Sequence, residues 1–163
     1  MQIMKARPEE TDLVIGIYRD AAKFMSRAGN PDQWKDGYPT RELIEDDIRR
    51  GFLYTVKDEG LTVAVFYSRF GEDETYKNID GGQWHTKSPY GIIHRIAVAE
   101  DCHGRGIVGF CFGEVKRWWG SIRIDTHKDN LPMQRALEKF GFRPCGIIHL
   151  ANGEERIAYD IGE

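Results

Sequence analysis

Apolar residues recur along this chain with two different periods, and together these periods predict a protein that mixes strands and helices. Alternating or continuous apolar runs are typical of strands, whereas a period near 3.6 residues is typical of an amphipathic helix. Runs of the first kind predict seven strands, at residues 2–6, 52–58, 61–70, 90–98, 121–126, 142–150 and 154–160. Apolar residues at helical spacing predict four helices between them.

Capping and stop residues predict where the helices begin and end. Proline favours the first helical turn, Thr and Asn favour the N-cap, and glycine favours the position after the last turn. These signals place the helices from Pro8 to Gly29, from Thr40 to about Arg50, from the glycines before Ile107 onward, and from Asn130 to Gly141. The residues expected on the buried faces of the last two helices are Ile107, Cys111, Val115 and Trp118, then Met133, Leu137 and Phe140.

The elements follow the order β-α-α-β-β-β-α-β-α-β-β, which predicts the α/β class with a mixed, twisted sheet of about seven strands and four helices. Short turns predict antiparallel neighbours early and late in the chain, and helical crossovers lie in the middle. Residues 71–90 are polar and are predicted to form a long surface loop. No repeat interrupts the pattern, so we expect a single domain over residues 1–163.

Composition and charge exclude several classes of function and partner. The 163 residues carry a formal charge of −3, which indicates no basic surface for nucleic acid. The three cysteines include no C-x-x-C pair, so they favour a reducing compartment over a disulfide framework or a metal site. Early acidic residues and the lack of a long apolar run argue against a signal peptide or membrane anchor. We therefore expect a cytoplasmic protein without nucleic-acid or membrane partners.

The most informative stretch is His103–Gly109, HGRGIVG, which contains G-x-G-x-x-G, the fingerprint of a dinucleotide-binding loop. Glycines at a strand-to-helix turn leave backbone N–H groups directed outward, and the helix dipole adds to their attraction for phosphate. The stretch therefore predicts a phosphate-bearing ligand. A plain tight turn that opens a helix is the alternative.

Three features argue against a dinucleotide such as NAD. Five residues separate Val98 from Gly104, whereas a dinucleotide-binding strand runs straight into its first glycine. Asp125 stands about twenty residues after the glycines, where a dinucleotide-binding protein carries its ribose-binding acid. Only 38 residues follow Asp125, too few for the βαβ units that such a fold would still need. The first hundred residues predict two helices and a meander instead of parallel βαβ units. We therefore expect the glycines to hold another phosphate ligand.

Two segments carry a resemblance to a known family. Residues 95–110, RIAVAEDCHGRGIVGF, and residues 122–146, IRIDTHKDNLPMQRALEKFGFRPCG, resemble two motifs of the GNAT superfamily of N-acetyltransferases. The first motif is Val-x(4–5)-Gln/Arg-x-x-Gly-x-Gly/Ala, and the second is an Asn-led helix ending in Gly-Phe. The resemblance implies the GNAT acyl-CoA N-acyltransferase fold and an enzyme that transfers acetyl from acetyl-CoA directly to a primary amine.

The resemblance also implies where acetyl-CoA binds. The strands ending at Val98 and near Thr126 would splay apart, with pantetheine between them and the diphosphate on the amides of the glycine stretch. Asn130 would contact the cofactor arm. The implied cofactor-binding residues are Ala97, Val98, His103, Gly104, Arg105, Gly106, Ile107, Val108, Gly109 and Asn130.

The sequence departs from the family pattern at three positions. His103 stands at the Gln/Arg position and Val108 at the final Gly/Ala position. Both changes are compatible with phosphate binding by backbone amides if the turn keeps its shape. Leu137 stands where many relatives carry a tyrosine that protonates the leaving thiolate. Solvent can supply that proton, because a thiol with a pKa of roughly 8.5 is a fair leaving group.

Amide formation from a thioester suggests two catalytic assignments. We expect His94, four residues before Val98 and on the same strand face, to remove the amine proton directly or through water. We expect the backbone N–H of Val98 to stabilise the oxyanion. The alternative for His94 is a core histidine satisfied by a neighbour, and His127 is a weaker candidate that can instead orient its loop. Nothing marks a cysteine as an activated nucleophile, so we expect no covalent intermediate, and no metal.

The acceptor amine, on a small molecule or a peptide, is expected to meet an aromatic wall. Trp34, Tyr38 and Trp84 are the candidates for that wall, and each is equally consistent with an anchor of a surface loop. Trp118-Trp119 is expected in core packing, with a homodimer face as the alternative. The non-enzyme alternative for the whole chain is a CoA-binding module with little or no catalysis, which Leu137 favours.

Overall fold

The computed structural model describes residues 1–162 and confirms the predicted order of elements. Within these residues the strands are β1 (Gln2–Lys5), β2 (Leu53–Asp58), β3 (Leu61–Gly71), β4 (Tyr90–Val98), β5 (Ile122–Thr126), β6 (Arg143–His149) and β7 (Glu155–Ile161). The α-helices are α1 (Thr11–Arg27), α2 (Arg41–Arg49), α3 (Ile107–Trp119) and α4 (Leu131–Phe140). Short 3-10 helices at Pro8–Glu10, Glu74–Tyr76 and Glu100–Cys102 were not predicted.

The strands form a mixed sheet in the order β1-β2-β3-β4-β5-β7-β6. Pairing is antiparallel from β1 through β2 to β3, and again from β5 through β7 to β6. β4 pairs with β5 in parallel, through Gly91 with Ile122 and Ile92 with Arg123. This arrangement confirms the predicted α/β class with a seven-stranded mixed sheet.

Side-chain caps and a left-handed glycine explain three of the helix ends. The Thr40 hydroxyl caps α2 by accepting a hydrogen bond from the N–H of Leu43 at 3.3 Å. The Asn130 side-chain oxygen caps α4 by accepting from the N–H of Met133 at 3.2 Å. Gly141 ends α4 with a φ of 105°, a conformation that residues with side chains disfavour. These predicted ends are therefore confirmed.

Residue contacts divide the chain into two compact units, each built from two chain segments. The first unit contains residues 1–68 and 95–111. The second contains residues 69–94 and the described residues from 112 onward. The chain changes unit inside β3, β4 and α3, so no linker marks a boundary. The single domain expected over residues 1–163 stays a prediction.

The core of the first unit joins apolar faces of α1 and α2 with β2, β3 and the end of β4. Its buried members are Ala6, Val14, Ile17, Tyr18, Ile44, Ile48, Leu53, Val65, Tyr67 and Ala97. Full burial of an aliphatic side chain contributes about 1.5–3 kcal/mol, so these contacts dominate the stability of the unit.

The second unit has a mixed aliphatic and aromatic core. One buried cluster contains Tyr76, Tyr90, Ile92, Cys145, Ile148 and Ala158. Beside α4, Phe112 lies edge-on to Phe140 and Phe142, with ring centroids 5.5 and 5.0 Å apart. Leu137 is fully buried as predicted, whereas Met133 and Phe140 are half-buried.

The prediction of a surface loop at residues 71–90 is wrong in part. Tyr76, in the 3-10 helix of this segment, is 1% exposed. Its ring packs in the core while its hydroxyl donates a hydrogen bond to Asp125 at 2.7 Å, which satisfies the polar group. The polar composition of residues 71–90 therefore gave no sign that Tyr76 packs in the core.

The prediction that Trp118 joins the core is also wrong, because Trp118 is 38% exposed. The neighbouring Trp119 takes the packing position in the last turn of α3. A Cβ on Gly91 would lie 2.6 Å from the Trp119 ring, so the glycine permits this close contact. The homodimer face stays a prediction.

Among residues 1–162, no helix combines the length and apolar character needed to cross a membrane.

Candidate functional site

The glycine stretch forms the turn between β4 and α3. β4 ends at Val98, the 3-10 helix follows, and α3 begins at Ile107. Gly104 and Gly106 have φ values of 79° and 74°, in the left-handed region that favours glycine. A Cβ on either glycine would meet no atom within 4 Å. The need for glycine is therefore conformational, and the space beside the turn is open.

The described backbone does not use the amides of this turn. Within residues 1–162, no backbone hydrogen bond of the turns and loops has an N–H of residues 104–109 as its donor. The next amide along, Phe110 N–H, donates to Gly106 O at 3.0 Å. The first N–H groups of a helix have no intrahelical acceptor, and the helix dipole makes this end positive. The turn therefore has the backbone features that anion-binding sites for phosphate share.

Side chains around the turn hold it against its own unit. His103 Nε2 lies 3.1 Å from the Val98 carbonyl oxygen. Its ring meets that of Phe24 edge-on, with centroids 4.5 Å apart. The Arg105 guanidinium forms an ion pair with Asp58. A histidine at the family's Gln/Arg position thus closes the turn onto the end of β4.

The other predicted cofactor residues differ in burial. Ala97 and Ile107 are buried, whereas Val98 and Val108 are half-buried. Asn130 is 8% exposed, and its side-chain oxygen serves as the cap of α4. The structure brings these residues together in the first unit, except for Asn130, which belongs to the second.

His94 lies between two carboxylates of the second unit. Its Nε2 is 2.9 Å from Asp73 Oδ2, and its Nδ1 is 3.7 Å from Asp125 Oδ2. The other oxygen of Asp73 accepts from the N–H and the hydroxyl of Thr75 at 2.9 and 2.7 Å. The His94 side chain is 24% exposed. A carboxylate held in this way orients an imidazole and stabilises the imidazolium formed when the ring takes a proton.

The pKa values of the neighbours show which of them carries charge. Burial raises the pKa of Asp73, but the hydrogen bond and charge of His94 and the bonds from Thr75 lower it by more, to well below its usual range. Burial, followed by the charge and hydrogen bond of Asp125, raises the pKa of Tyr76 well above its usual value. Asp73 is therefore a carboxylate at neutral pH, and Tyr76 is a fixed donor that positions Asp125.

Arg95, the residue after His94, interrupts the strand geometry. Its φ is 50°, a left-handed conformation that is uncommon for a residue with a long side chain. Strand residues alternate between faces only while the backbone stays extended. The shared face predicted for His94 and Val98 therefore does not follow from their spacing.

The Arg95 side chain is the centre of a buried polar group in the first unit. It forms an ion pair with Asp47, and the two side chains are 11% and 5% exposed. Its guanidinium also donates to the Tyr38 hydroxyl at 3.2 Å and lies 4.9 Å from the centre of the Tyr67 ring. Tyr38, a candidate for the acceptor wall, is thus tied to β4.

The two predicted tryptophans of the acceptor wall have different surroundings. Trp34 lies edge-on to Tyr18 in the first unit, with ring centroids 5.5 Å apart. Trp84 belongs to the second unit, where its Nε1 donates to the Tyr76 carbonyl at 2.9 Å. The Arg123 guanidinium lies 4.4 Å from the centre of the Trp84 ring. Trp84 therefore anchors the segment before β4 onto its own unit.

Three other residues considered in the sequence analysis have contacts typical of residues that support the fold. Leu137 is fully buried in α4. His127 Nδ1 accepts from the N–H of Asp129 at 3.1 Å and so orients the loop before α4. Burial, followed by the hydrogen bond and charge of Asp160, raises the pKa of the Cys145 thiol to about 12. A thiol with this pKa is the opposite of an activated nucleophile.

Sequence reasoning missed Asp47, Asp73, Tyr76 and Arg95. Two signals were present, because Arg95 interrupts an apolar strand and Asp47 stands on the apolar face of α2, three residues after Ile44. A charged residue inside an apolar pattern indicates a buried partner. Nothing local points to Asp73 or Tyr76.

Comparisons with known proteins identify the family to which this chain is similar. A model of the acetyltransferase (GNAT) family matches residues 17–142. The chain is 31% identical to a GNAT family acetyltransferase from Streptococcus agalactiae, whose crystal structure matches with a TM-score of 0.90 over 99% of this chain and 95% of that one. A search of curated proteins found no match.

More distant structures share the fold. A GNAT family acetyltransferase from Listeria monocytogenes is 17% identical, with a TM-score of 0.71 over 98% of this chain and 93% of that one. An aminoglycoside 6′-N-acetyltransferase from Acinetobacter haemolyticus is 12% identical, with a TM-score of 0.64 over 89% and 92%. The family match includes β4, the glycine turn and α4. This chain therefore belongs to the GNAT family of acetyltransferases.

Proposed function

We propose that this protein is a cytoplasmic N-acetyltransferase that transfers acetyl from acetyl-CoA directly to a primary amine of a small molecule or peptide. The observation that carries the proposal is the turn before α3, where the amides of residues 104–109 are not donors to the described backbone. Membership of the GNAT family supports the reaction class.

The residues of the turn fit the diphosphate of acetyl-CoA. Gly104 and Gly106 leave open space beside a row of N–H groups, so phosphate oxygens can approach the backbone. The exposed Arg105 adds positive charge nearby, although Asp58 balances part of it. We assign the diphosphate to this turn and the pantetheine arm to the backbone of Ala97 and Val98. Bound acetyl-CoA supplies a thioester whose carbonyl carbon is open to attack by an amine.

Residues of this chain would act on two atoms of the reaction, and solvent would act on a third. The N–H of Val98 is assigned to the carbonyl oxygen, where negative charge develops. His94 is assigned to the amine proton, which it takes directly or through water as the carbon–nitrogen bond forms. The carbon–sulfur bond breaks, and solvent protonates the departing sulfur because the buried Leu137 offers no proton.

Asp73 is proposed as a positioning residue for His94. It bonds one ring nitrogen at 2.9 Å and stays ionised, so it holds the imidazole in one orientation for proton removal. Trp34 and Tyr38 are retained as the aromatic wall for the acceptor, and Tyr38 is held by Arg95. Trp84 is retained as a third candidate, although its contacts are those of an anchor.

The alternative is a CoA-binding module without catalysis, and the burial of Leu137 at the position of the family's acid favours it. Thiol release from acetyl-CoA over a panel of primary amines separates the two functions. Turnover with at least one amine supports the enzyme. Saturable acetyl-CoA binding without turnover on any amine supports the module, and thermal protection by NAD but not by acetyl-CoA contradicts both.

The pH–rate profile of His94→Gln tests the base. Loss of a general base costs typically 10²–10⁴-fold in rate, so we expect kcat to fall by about this factor while acetyl-CoA affinity is kept. His149→Gln is the matched control, because His149 also faces carboxylates, Asp80 and Glu155, at the surface. An unchanged rate and profile for His94→Gln would remove His94 from the mechanism.

A further inference from the structure

Three side chains that the proposed transfer does not use meet in the second unit. His85 comes from the segment before β4, Cys145 from β6 and Asp160 from β7. His85 Nδ1 lies 2.9 Å from Asp160 Oδ1 and 3.4 Å from Cys145 Sγ. One ligand atom from each of the three lies within 4.8 Å of the others. They form the one cluster of three potential metal ligands found within residues 1–162.

These spacings are close to those of a tetrahedral metal site. Zinc bonds of about 2.0–2.1 Å to nitrogen, 2.3 Å to sulfur and 2.0–2.2 Å to oxygen place tetrahedral ligand atoms about 3.4–3.6 Å apart. The nitrogen–sulfur distance already has this value, and the nitrogen–oxygen pair needs to open by about half an ångström. These two pairs therefore need little side-chain movement, and the sulfur and carboxylate oxygen lie within 4.8 Å of each other.

The surroundings fix two of the ligands. Asp160 is fully buried, and its Oδ2 accepts from the N–H groups of His85 and Thr86 at 2.6 and 2.8 Å. These bonds orient Oδ1 toward the imidazole. Arg123, whose charge interacts with Asp160 and Cys145, donates to the carbonyl and hydroxyl oxygens of Thr86 and so is held by the same segment. The Cys145 thiol also donates to a backbone carbonyl, that of Arg143, at 3.3 Å.

A cavity of about 500 Å³ opens onto the cluster. Its lining includes Gly81, Gly82, His85, Cys145, Ile147 and Ile157. His85 and Cys145 therefore both line a space large enough to hold a metal ion and water. A fourth ligand position is available there, which a closed structural site of four protein ligands would lack.

We propose that His85 Nδ1, Cys145 Sγ and Asp160 Oδ1 bind a single borderline divalent cation of the zinc class, with a water from the cavity as fourth ligand. Thiolate and imidazole exclude magnesium and calcium, which prefer oxygen ligands. On binding, the thiol proton leaves to solvent, and the imidazole keeps its single proton on Nε2. The thiolate and the carboxylate balance the charge of the cation.

Titration of metal-free protein with Zn²⁺ alone, followed by calorimetry, tests the proposal. We expect saturable binding of one ion, lost in Cys145→Ser and in His85→Gln. Cys102→Ser and the surface variant His149→Gln are the controls and should bind as the wild type does. No saturable binding to the wild type, or binding that persists in Cys145→Ser, would overturn the site in favour of a purely hydrogen-bonded cluster.

A spectroscopic measurement keeps the test independent of variant folding. Co²⁺ alone, added to metal-free wild-type protein, should give the charge-transfer absorption of a cobalt–thiolate bond and the intense visible bands of tetrahedral coordination. Cys102→Ser should keep both signals. Cobalt that binds without thiolate absorption would refute the assignment of Cys145. Both measurements are made without acetyl-CoA or an amine, so their outcome is separate from that of the proposed transfer.

Discussion

Substitution of Gly106 by alanine tests the assignment of the glycine turn to acetyl-CoA. Gly106 has a φ of 74°, and a Cβ there would point into open space. An L-residue in the left-handed region costs about 1–2 kcal/mol. If the free turn relaxes to escape this cost, binding must restore the strained conformation, and the added methyl group also occupies the space through which phosphate would approach.

A penalty of about 1–2 kcal/mol corresponds to a 5–30-fold loss of affinity, and steric exclusion adds to it. From this conversion of free energy into affinity, we expect the dissociation constant of acetyl-CoA to rise at least 5-fold in Gly106→Ala, measured by calorimetry. Gly60→Ala is the matched control. Gly60 has a φ of 83° and equally open space, but it lies in the turn between β2 and β3.

Comparison of the two variants separates strain from binding. Gly60→Ala should lose a similar amount of stability and keep the affinity of the wild type. An unchanged dissociation constant for Gly106→Ala would mean that neither the conformation of the turn nor the space beside it matters to acetyl-CoA. That result would refute the assignment of the diphosphate to residues 104–109.

Three further predictions concern stability, each measured by urea unfolding. Asp73→Asn should lower the unfolding free energy at pH 7, and this loss should shrink as the pH falls below about 4. The reason is that a carboxylate whose pKa is lower in the folded state stabilises the fold only where it is ionised. A loss that is independent of pH would contradict this prediction. Leu137→Ala should cost about 2–5 kcal/mol, whereas Leu131→Ala, 52% exposed on the same helix, should change little; equal losses would refute the packing argument. Asp47→Asn should lower the unfolding free energy by about 3–5 kcal/mol, because it leaves the buried Arg95 guanidinium without its carboxylate. The neighbouring Asp46→Asn, at an exposed ion pair, should lower it by about 0–1 kcal/mol. A small effect at Asp47 would show that the pair with Arg95 is well solvated.

Elements and caps of this fold could be predicted because their causes are local. The bonds from Thr40 to Leu43 and from Asn130 to Met133 span three residues each, and Gly141 acts through its own backbone. The turn at the glycine stretch was predictable for the same reason. Secondary structure and its ends therefore follow from short-range pattern.

The polar groups of the site could not be predicted in the same way. Arg95 and Asp47 are 48 residues apart in the chain, and Tyr76 and Asp125 are 49 apart. The members of the proposed metal cluster are 60 and 75 residues from His85. Such partners meet only through strand order and register, which spacing does not encode. Sequence reasoning consequently predicted the glycine turn and missed the carboxylates around His94, whereas phosphate binding at the turn stays a prediction.

The interleaving of the two units bears on how this protein can be synthesised. The first unit needs residues 95–111 as well as the first 68, so the nascent chain must lengthen well past β3 before that unit is complete. Until Arg95 emerges from the ribosome, Asp47 has no guanidinium to meet and the glycine turn does not yet exist. A gene fragment that stops at Ser68 would leave α2 with an unpaired carboxylate on its apolar face. Folding of this unit during translation is therefore expected to wait for residue 111.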